Sequence, residues 1–134
     1  MLFAPIVWRY SKGDRCAVLL IVDDEPEIRE LLVECLALEG HIALIAANGS
    51  EALELAREVL PSLILLDLNM PVLNGWAFLS ERLADPLLSK VPVLVMSGSS
   101  EVARAKAAGA AAVIRKPFTP SELLPLVEKL LAAA

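Results

Sequence analysis

Short runs of aliphatic residues alternate with longer amphipathic stretches along nearly the whole chain. Runs of four to six apolar residues, bounded by polar or turn-forming residues, are typical of strands that are buried on both faces of a sheet. The sequence predicts five such strands, each followed by a helix. The predicted strands are AVLLIV (17–22), IALIA (42–46), LILL (63–66), VPVLVM (91–96) and AAVI (111–114).

The segments between these runs carry the start and stop signals of helices. Pro26 suits the first turn of a helix, and Gly40 suits its end. Asn48 with Glu51 resembles a capping box, and Thr119 with Glu122 repeats that pattern before the last helix. The five predicted helices begin near residues 26, 48, 74, 100 and 119 and end near residues 40, 60, 84, 109 and 131.

Strict alternation of short apolar strands and helices predicts one α/β domain. Strands of this kind form a parallel sheet that is covered on both faces, and right-handed crossovers make it doubly wound. We therefore predict a doubly wound five-stranded parallel sheet with helices on both faces. A length of 134 residues allows one domain of ordinary size with a full core.

Composition excludes two classes of function and indicates a compartment. Although 57% of the residues are hydrophobic, no apolar run approaches the roughly 20 residues that a membrane span needs. The formal charge of −5 gives no basic footprint for nucleic acid. Cys16 and Cys35 are two unlinked thiols in a domain with a full core, and Cys35 is placed on the apolar face of its helix. We predict a cytoplasmic protein without membrane insertion.

Polar and charged residues follow the predicted strands at their carboxyl ends. In doubly wound sheets, ligands bind outside the carboxyl ends of the strands, so these residues are expected to converge. Each of them alone has an ordinary explanation as a cap or a turn residue, but their common position at one edge favours a site. The predicted site residues are Asp23, Asp24, Asp67, Ser97 and Lys116.

The residue types at this edge favour phosphoryl chemistry. Converging carboxylates repel one another unless a cation lies between them, and Mg²⁺ prefers oxygen ligands. Lys116 supplies a compact positive charge for a phosphoryl oxygen, and Ser97 supplies a hydroxyl donor. An aspartate beside a metal ion and a lysine, as predicted for Asp67, is suited to form an aspartyl phosphate.

With these motifs, residues 17–131 resemble the receiver domains of bacterial two-component response regulators, including the single-domain regulators of chemotaxis. The resemblance implies the flavodoxin-like strand order 2-1-3-4-5. It is carried by D-x-x-M-P-x-x-x-G, which begins at Asp67, by an upstream acid pair and by a downstream Lys-Pro. The matching segments are LLIVDDEPEIR, LILLDLNMPVLNG, VPVLVMSG and GAAAVIRKPF.

The resemblance also implies a role for each residue of the site. Asp67 is the phosphoacceptor, and a histidine kinase or a phosphotransfer protein supplies the phosphoryl group. Mg²⁺ is bound directly by Asp24, by Asp67 and by the backbone carbonyl of Asn69, whereas Asp23 holds a metal-bound water. Ser97 and Lys116 contact the phosphoryl group.

The chain departs from the family pattern at three places. Val113 stands three residues before the lysine, where the family usually has Tyr or Phe. The segment between Ser97 and Lys116 is short, which predicts a stunted fourth helix. Residues 1–15 have no counterpart, so we divide the chain into an N-terminal extension (1–15) and a receiver domain (16–134). The extension, with three of the six aromatic residues, is either a flexible arm or a segment that packs on its own domain or on a partner.

Two other classes of function compete with a phosphorylation-switched signalling protein. A hydrolase with an aspartyl-phosphate intermediate usually has a second aspartate two residues after the nucleophile, where this chain has Asn69. A phosphate-independent scaffold is favoured slightly by Val113 but opposed by the complete set of site residues. We predict no enzyme beyond its own phosphoryl transfer and slow self-dephosphorylation, and a signal that passes by contact with partners rather than by DNA binding. We interpret His41 as a surface turn residue at the opposite edge of the sheet.

Overall fold

A computed structural model describes residues 17–70, 73–98 and 101–133, and these residues form alternating strands and helices. The strands are β1 (Val18–Val22), β2 (Ile42–Ala46), β3 (Leu63–Asp67), β4 (Val93–Ser97) and β5 (Ala112–Arg115). The helices are α1 (Pro26–Leu38), α2 (Gly49–Val59), α3 (Gly75–Leu83), α4 (Val102–Ala107) and α5 (Pro120–Ala133), with a 3₁₀ turn at Leu88–Lys90. The predicted extension, residues 1–15, lies outside the described residues.

The strands form one sheet in the order β2-β1-β3-β4-β5, and every neighbouring pair is parallel. This arrangement confirms the predicted fold class and strand order. The register places Val22 beside Leu66 and Asp67 beside Met96. The strands β1, β3 and β4 therefore end at nearly the same height, and the residues that follow them lie along one edge.

The core has one layer on each face of the sheet. On one face, alternate strand residues such as Leu20 and Leu66 pack with Phe78 of α3. On the other face, their sequence neighbours pack with Val127 of α5. Because both faces of β1, β3 and β4 are covered, the strands need no polar alternation, which explains their continuous apolar runs.

The observed helix caps follow the sequence signals, except that the Glu51 side chain of the second helix bonds the residue before the cap. Asn48 accepts a hydrogen bond from the Glu51 N–H at 2.9 Å, as an N-cap residue does. The Glu51 carboxylate accepts from the Ala47 N–H at 3.1 Å, one residue before the cap. Asn74 caps α3 in the same way, accepting from the Ala77 N–H at 2.9 Å. No helix among the described residues is long and apolar enough to cross a membrane.

Several strand boundaries differ from the prediction by one or two residues. The fourth strand begins at Val93 rather than at residue 91, because the Val91 N–H closes the 3₁₀ turn by bonding the Leu88 carbonyl at 3.0 Å. Helix α4 has six residues, which confirms the predicted stunted fourth helix. The buried residues of α1 are Leu32 and Leu36, so Cys35 is half-buried beside the packed face rather than at its centre.

The interpretation of His41 as a surface residue is wrong. Its side chain is buried, with Nδ1 accepting a hydrogen bond from the Ala17 N–H at 3.1 Å. Its Nε2 lies 2.8 Å from a carboxylate oxygen of Glu128 on α5. Because Nδ1 is an acceptor, the ring proton belongs on Nε2, which donates to Glu128. His41 does precede β2 at the edge opposite the predicted site, but it joins three elements there.

Candidate functional site

Asp67 is the last residue of β3 and points into a cluster of charged groups. It is only 5% exposed, and its Oδ1 accepts a hydrogen bond from the Asn69 N–H at 3.2 Å. Burial raises the pKa of Asp67, the Lys116 ammonium lowers it, and the charges of Asp23 and Asp24 raise it further. The pKa stays above its ordinary value, because one nearby cation does not outweigh burial beside two other acids.

The acid pair after β1 contributes two different carboxylates to this cluster. Asp23 is fully buried, and its Oδ1 accepts from the Glu25 N–H at 2.9 Å. Arg29 donates to the backbone carbonyl of Asp23 at 2.8 Å, which ties the loop to the first turns of α1. Asp24 is exposed. One carboxylate oxygen from each of Asp23, Asp24 and Asp67 lies within 4.8 Å of the others.

Lys116 follows β5 and brings the compensating positive charge. Its Nζ lies 3.0 Å from Asp23 Oδ2, 3.5 Å from Glu25 Oε1 and 3.6 Å from Asp67 Oδ2. Burial lowers the pKa of Lys116, but the hydrogen bond and charge of Asp23 and the charges of Asp67 and Glu25 together raise it above its ordinary value. The sequence pattern indicated the lysine but not Glu25, which is its third acidic neighbour.

Ser97 and Asn69 complete the predicted set. Ser97 is the last residue of β4, fully buried, and its carbonyl accepts the Lys116 N–H at 2.8 Å. Its strand neighbours are β3, which ends in Asp67, and β5, which leads to Lys116. Asn69 is exposed and lies two residues after Asp67. The structure therefore brings Asp23, Asp24, Asp67 and Lys116 into one cluster, and backbone groups of Ser97 and Asn69 contact members of that cluster.

Gly75 explains why the loop after β3 can be so tight. Its N–H donates to the Leu68 carbonyl at 3.0 Å, which closes the loop onto itself. A Cβ atom at Gly75 would lie 2.6 Å from the Asp67 carbonyl oxygen and 2.5 Å from the Leu68 Cα. These are backbone atoms that no side-chain rotation can move. The glycine was part of the sequence motif, but only the folded loop shows its physical cause.

A contact between α3 and α4 was not predicted from the sequence. The Arg104 guanidinium carbon lies 4.0 Å from the centre of the Trp76 ring, a cation–π geometry. Arg104 also lies 3.3 Å from a carboxylate oxygen of Glu101. Val113, the residue in the usual aromatic position, is half-buried and packs against the same core layer as Trp76. Such a contact requires two residues 28 positions apart, so no local sequence signal could have shown it.

The site fits a hard divalent cation. Its donors are carboxylate oxygens, which Mg²⁺ prefers, and three of them already lie together. Burial is the main cause of the raised pKa of Asp67, and repulsion from the Asp23 and Asp24 carboxylates adds to it. A bound cation would relieve that repulsion, and the exposed Asp24 keeps one side of the cluster open to solvent.

Comparison with known proteins agrees with the observed fold and site. Residues 19–128 match the family model described as response regulator receiver domain. The chain is 36% identical over 108 residues to the probable transcriptional regulator ycf27 of Guillardia theta, covering 78% of this chain and 41% of that protein. It is also 36% identical over 109 residues to the DNA-binding response regulator MtrA of Mycolicibacterium smegmatis, covering 79% and 46%. The chain thus spans less than half the length of these two relatives.

Solved structures agree with the family match. The chemotaxis response regulator CheY4 of Vibrio cholerae has a TM-score of 0.81 and 30% identity, over 86% of this chain and 98% of that chain. The signal receiver domain of a histidine kinase from Syntrophus aciditrophicus has a TM-score of 0.80 and 31% identity, over 86% and 89%. The chain belongs to the response regulator receiver domains, the phosphorylation-switched signalling domains of two-component systems, which receive phosphate from histidine kinases.

Proposed function

We propose that Asp67 is the residue that accepts the phosphoryl group, from a histidine kinase or a phosphotransfer protein. One observation carries the assignment: two carboxylates of the three-aspartate cluster contact the Lys116 ammonium, Asp23 at 3.0 Å and Asp67 at 3.6 Å, and of these two only Asp67 keeps an exposed fraction, 5% against 0%. The Asp23 carboxylate is fully buried and accepts hydrogen bonds from the Lys116 ammonium and from the Glu25 N–H. A nucleophile needs a carboxylate oxygen that an incoming group can reach, and this favours Asp67 over Asp23.

In the transfer step, an Asp67 carboxylate oxygen attacks the phosphorus of an N-phosphohistidine. The O–P bond forms as the P–N bond breaks, and the imidazole nitrogen keeps the electron pair and takes a proton from solvent. The Lys116 ammonium contacts the phosphoryl oxygens from its place beside Asp67. The Ser97 hydroxyl, at the end of the neighbouring strand, contacts the same group.

The three aspartates are suited to hold Mg²⁺ for this step. Asp24, Asp67 and the backbone carbonyl of Asn69 would hold the ion directly, and Asp23 would hold it through a water molecule. When bound, the ion offsets the charge of the carboxylates and of the phosphoryl oxygens.

Asn69 supports a switch rather than a turnover enzyme. A hydrolase would need an acid–base group beside the aspartyl phosphate, and an amide cannot accept and return a proton in that way. The Asn69 side chain is exposed. We therefore expect the protein to catalyse only its own phosphorylation and slow self-dephosphorylation. A phosphate-independent scaffold would leave the Lys116 and Asp67 pair without a role.

We propose that the phosphorylated protein signals by contact with partner proteins, without direct DNA binding, in the cytoplasm. The formal charge of −5 opposes non-specific attraction to nucleic acid. The histidine that donates phosphate belongs to another protein. His41 is buried at the opposite edge, with both ring nitrogens in hydrogen bonds, so it is not available for transfer.

Intact-mass analysis after incubation with acetyl phosphate and Mg²⁺ tests the phosphoacceptor. We expect one base-labile phosphate on the full chain and none on Asp67→Asn. Asp85→Asn is the matched control, because Asp85 is a half-buried aspartate outside the cluster whose Oδ1 accepts the Leu87 N–H at 2.9 Å. Loss of phosphate in both variants, or in neither, would contradict the assignment.

Calorimetric titration with Mg²⁺ tests the metal ligands. Asp24→Asn is expected to weaken binding at least tenfold, because it replaces the one exposed carboxylate of the cluster. Glu30→Gln removes the same charge from the exposed side of α1 and serves as the control. Equal affinity in the wild type and Asp24→Asn would reject Asp24 as a ligand.

The short side chain of Val113 predicts where the phosphorylated protein changes. Valine is restricted at its first side-chain torsion and cannot swing inward as an aromatic ring could. We expect the change to concentrate in α4, around Arg104, rather than at β5. Amide shifts on adding a beryllofluoride mimic of the phosphoryl group measure this. Larger shifts at Val113 and Arg115 than in α4 would refute it.

A further inference from the structure

Glu25 reaches the cluster around Asp67 although its place in the chain would suit a helix cap. It precedes α1 with an extended backbone (φ −92°, ψ 113°), and its side chain makes no capping hydrogen bond. Residues at this position are usually short and polar, and they accept an N–H group of the first turn. The Glu25 carboxylate instead lies 3.5 Å from the Lys116 ammonium. A residue that departs from a local rule in this way is a candidate for a functional role.

The backbones of Glu25 and Lys116 are both held in place by hydrogen bonds. The Glu25 N–H donates to Asp23 Oδ1 at 2.9 Å, and the Glu25 carbonyl accepts the Arg29 N–H at 3.2 Å. The Arg29 guanidinium also donates to the Asp23 carbonyl at 2.8 Å. The Lys116 N–H donates to the Ser97 carbonyl at 2.8 Å. The side-chain contact between Glu25 and Lys116 therefore joins two anchored parts of the chain.

Glu25 is separate from the acids that are suited to hold a metal ion. Among the described residues, the acids close enough to share one cation are Asp23, Asp24 and Asp67. The contact that the structure gives to the Glu25 carboxylate is with Lys116. Any influence of the Glu25 side chain on the site therefore passes through this ammonium group.

Lys116 has three N–H donors and faces three carboxylates, which differ in how easily they can release it. The Asp23 side chain is fully buried at 3.0 Å, and loss of the ammonium would leave its charge buried and uncompensated. Asp67, at 3.6 Å, is the proposed phosphoacceptor itself. The Glu25 side chain is 63% exposed, so water can solvate its charge when the contact is lost. Glu25 is therefore the acid that Lys116 releases most easily.

We propose that Glu25 is a positioning residue that holds one donor of Lys116 in the unphosphorylated protein and yields this donor to the phosphoryl group. The inference rests on the proposed function, because it needs a phosphoryl group on Asp67. A phosphoryl group carries roughly two negative charges at pH 7 and attracts the ammonium more strongly than one exposed carboxylate does. Glu25 then turns toward solvent. Because its charge competes for Lys116 and repels the phosphoryl oxygens, Glu25 favours the unphosphorylated state.

Proton–nitrogen correlation NMR of the lysine ammonium groups measures the contact in the full chain without metal. We expect Glu25→Gln to shift the Lys116 Nζ signal, which Lys116→Arg identifies by its loss. Glu27→Gln is the matched control and should leave the signal in place, because Glu27 is an exposed acid in the first turn of the same helix. An identical Lys116 signal in the wild type and in Glu25→Gln would overturn the proposal.

Beryllofluoride, a mimic of the phosphoryl group, tests the exchange when it is added with saturating Mg²⁺. The Lys116 signals of the wild type and of Glu25→Gln should coincide in the bound state, because Glu25 no longer contacts the ammonium. Glu25→Gln should also bind beryllofluoride about two- to fivefold more tightly than the wild type, the range of an exposed ion pair, whereas Glu27→Gln should match the wild type. A signal difference that persists in the bound state, or equal affinity in the wild type and Glu25→Gln, would overturn the proposal.

The outcomes separate the role of Glu25 from the proposed function. A wild type that does not respond to beryllofluoride would contradict the phosphoacceptor site, and the exchange at Lys116 with it. A wild type that responds, together with a Lys116 signal that Glu25→Gln does not shift, would overturn the role of Glu25 alone and leave Asp67 as the phosphoacceptor.

Discussion

Replacing Gly75 by alanine is expected to destabilise the domain, although alanine normally favours a helix. Gly75 is the first residue of α3 and is buried against the loop that carries Asp67. The new methyl group would lie 2.6 Å from the Asp67 carbonyl oxygen and 2.5 Å from the Leu68 Cα. Ordinary contacts between such atoms are longer by about 1 Å, so the loop or the start of the helix must move.

The size of the effect follows from two opposing contributions. Inserting a methyl group into a closely packed place costs about 1–3 kcal/mol of unfolding free energy. Replacing glycine by alanine gains about 0.4–1 kcal/mol, because the unfolded chain loses conformational freedom. The difference between these contributions is a net loss of about 0–2.6 kcal/mol at Gly75, with a central value of about 1.3 kcal/mol. At Gly98 a Cβ atom would meet nothing within 4 Å, so Gly98→Ala isolates the favourable contribution.

Urea unfolding of the two variants and the wild type measures this difference. We expect a lower midpoint for Gly75→Ala, an equal or higher midpoint for Gly98→Ala, and similar slopes for all three, since the exposed surface is unchanged. Because the displaced carbonyl belongs to Asp67, phosphorylation by acetyl phosphate should also slow in Gly75→Ala. A Gly75→Ala protein as stable as Gly98→Ala would refute the steric reasoning.

Three further substitutions test other features of the structure. The pKa of Asp67 is raised in the folded state, so ionisation of its carboxyl lowers the folding stability as the pH rises past the pKa of the unfolded state. Asp67→Asn should therefore raise the melting temperature of the metal-free protein at pH 7 but not at pH 3. A double-mutant cycle of Arg104→Ala and Trp76→Leu should give a coupling of about 0.5–1 kcal/mol, and zero coupling would reject the cation–π contact. His41→Ala should cost about 1–3 kcal/mol in urea unfolding, because it leaves the buried Ala17 N–H unsatisfied, whereas a loss below about 0.5 kcal/mol would indicate a surface residue.

Local sequence signals were sufficient for the elements and for the place of the site. The five apolar runs identified the strands, and Asn48 and Asn74 mark observed helix starts. Parallel strands place their carboxyl ends at one edge, so Asp23, Asp67 and Lys116 were expected to meet there, and they do. These conclusions need only periodicity, caps and the general rule for doubly wound sheets, all of which are written in short stretches of sequence.

Other features depend on residues that are far apart in the chain, and only the tertiary structure decided them. His41 is polar and follows a glycine, as a surface turn does, yet α5 brings Glu128 to it from 87 positions away. Lys116 lies nearer to Asp23 than to Asp67, which depends on side-chain geometry across two strands. The sequence alone determined which groups share an edge, because strand direction follows from local pattern. Which of those groups touch, and which become buried, was decided by how distant elements pack.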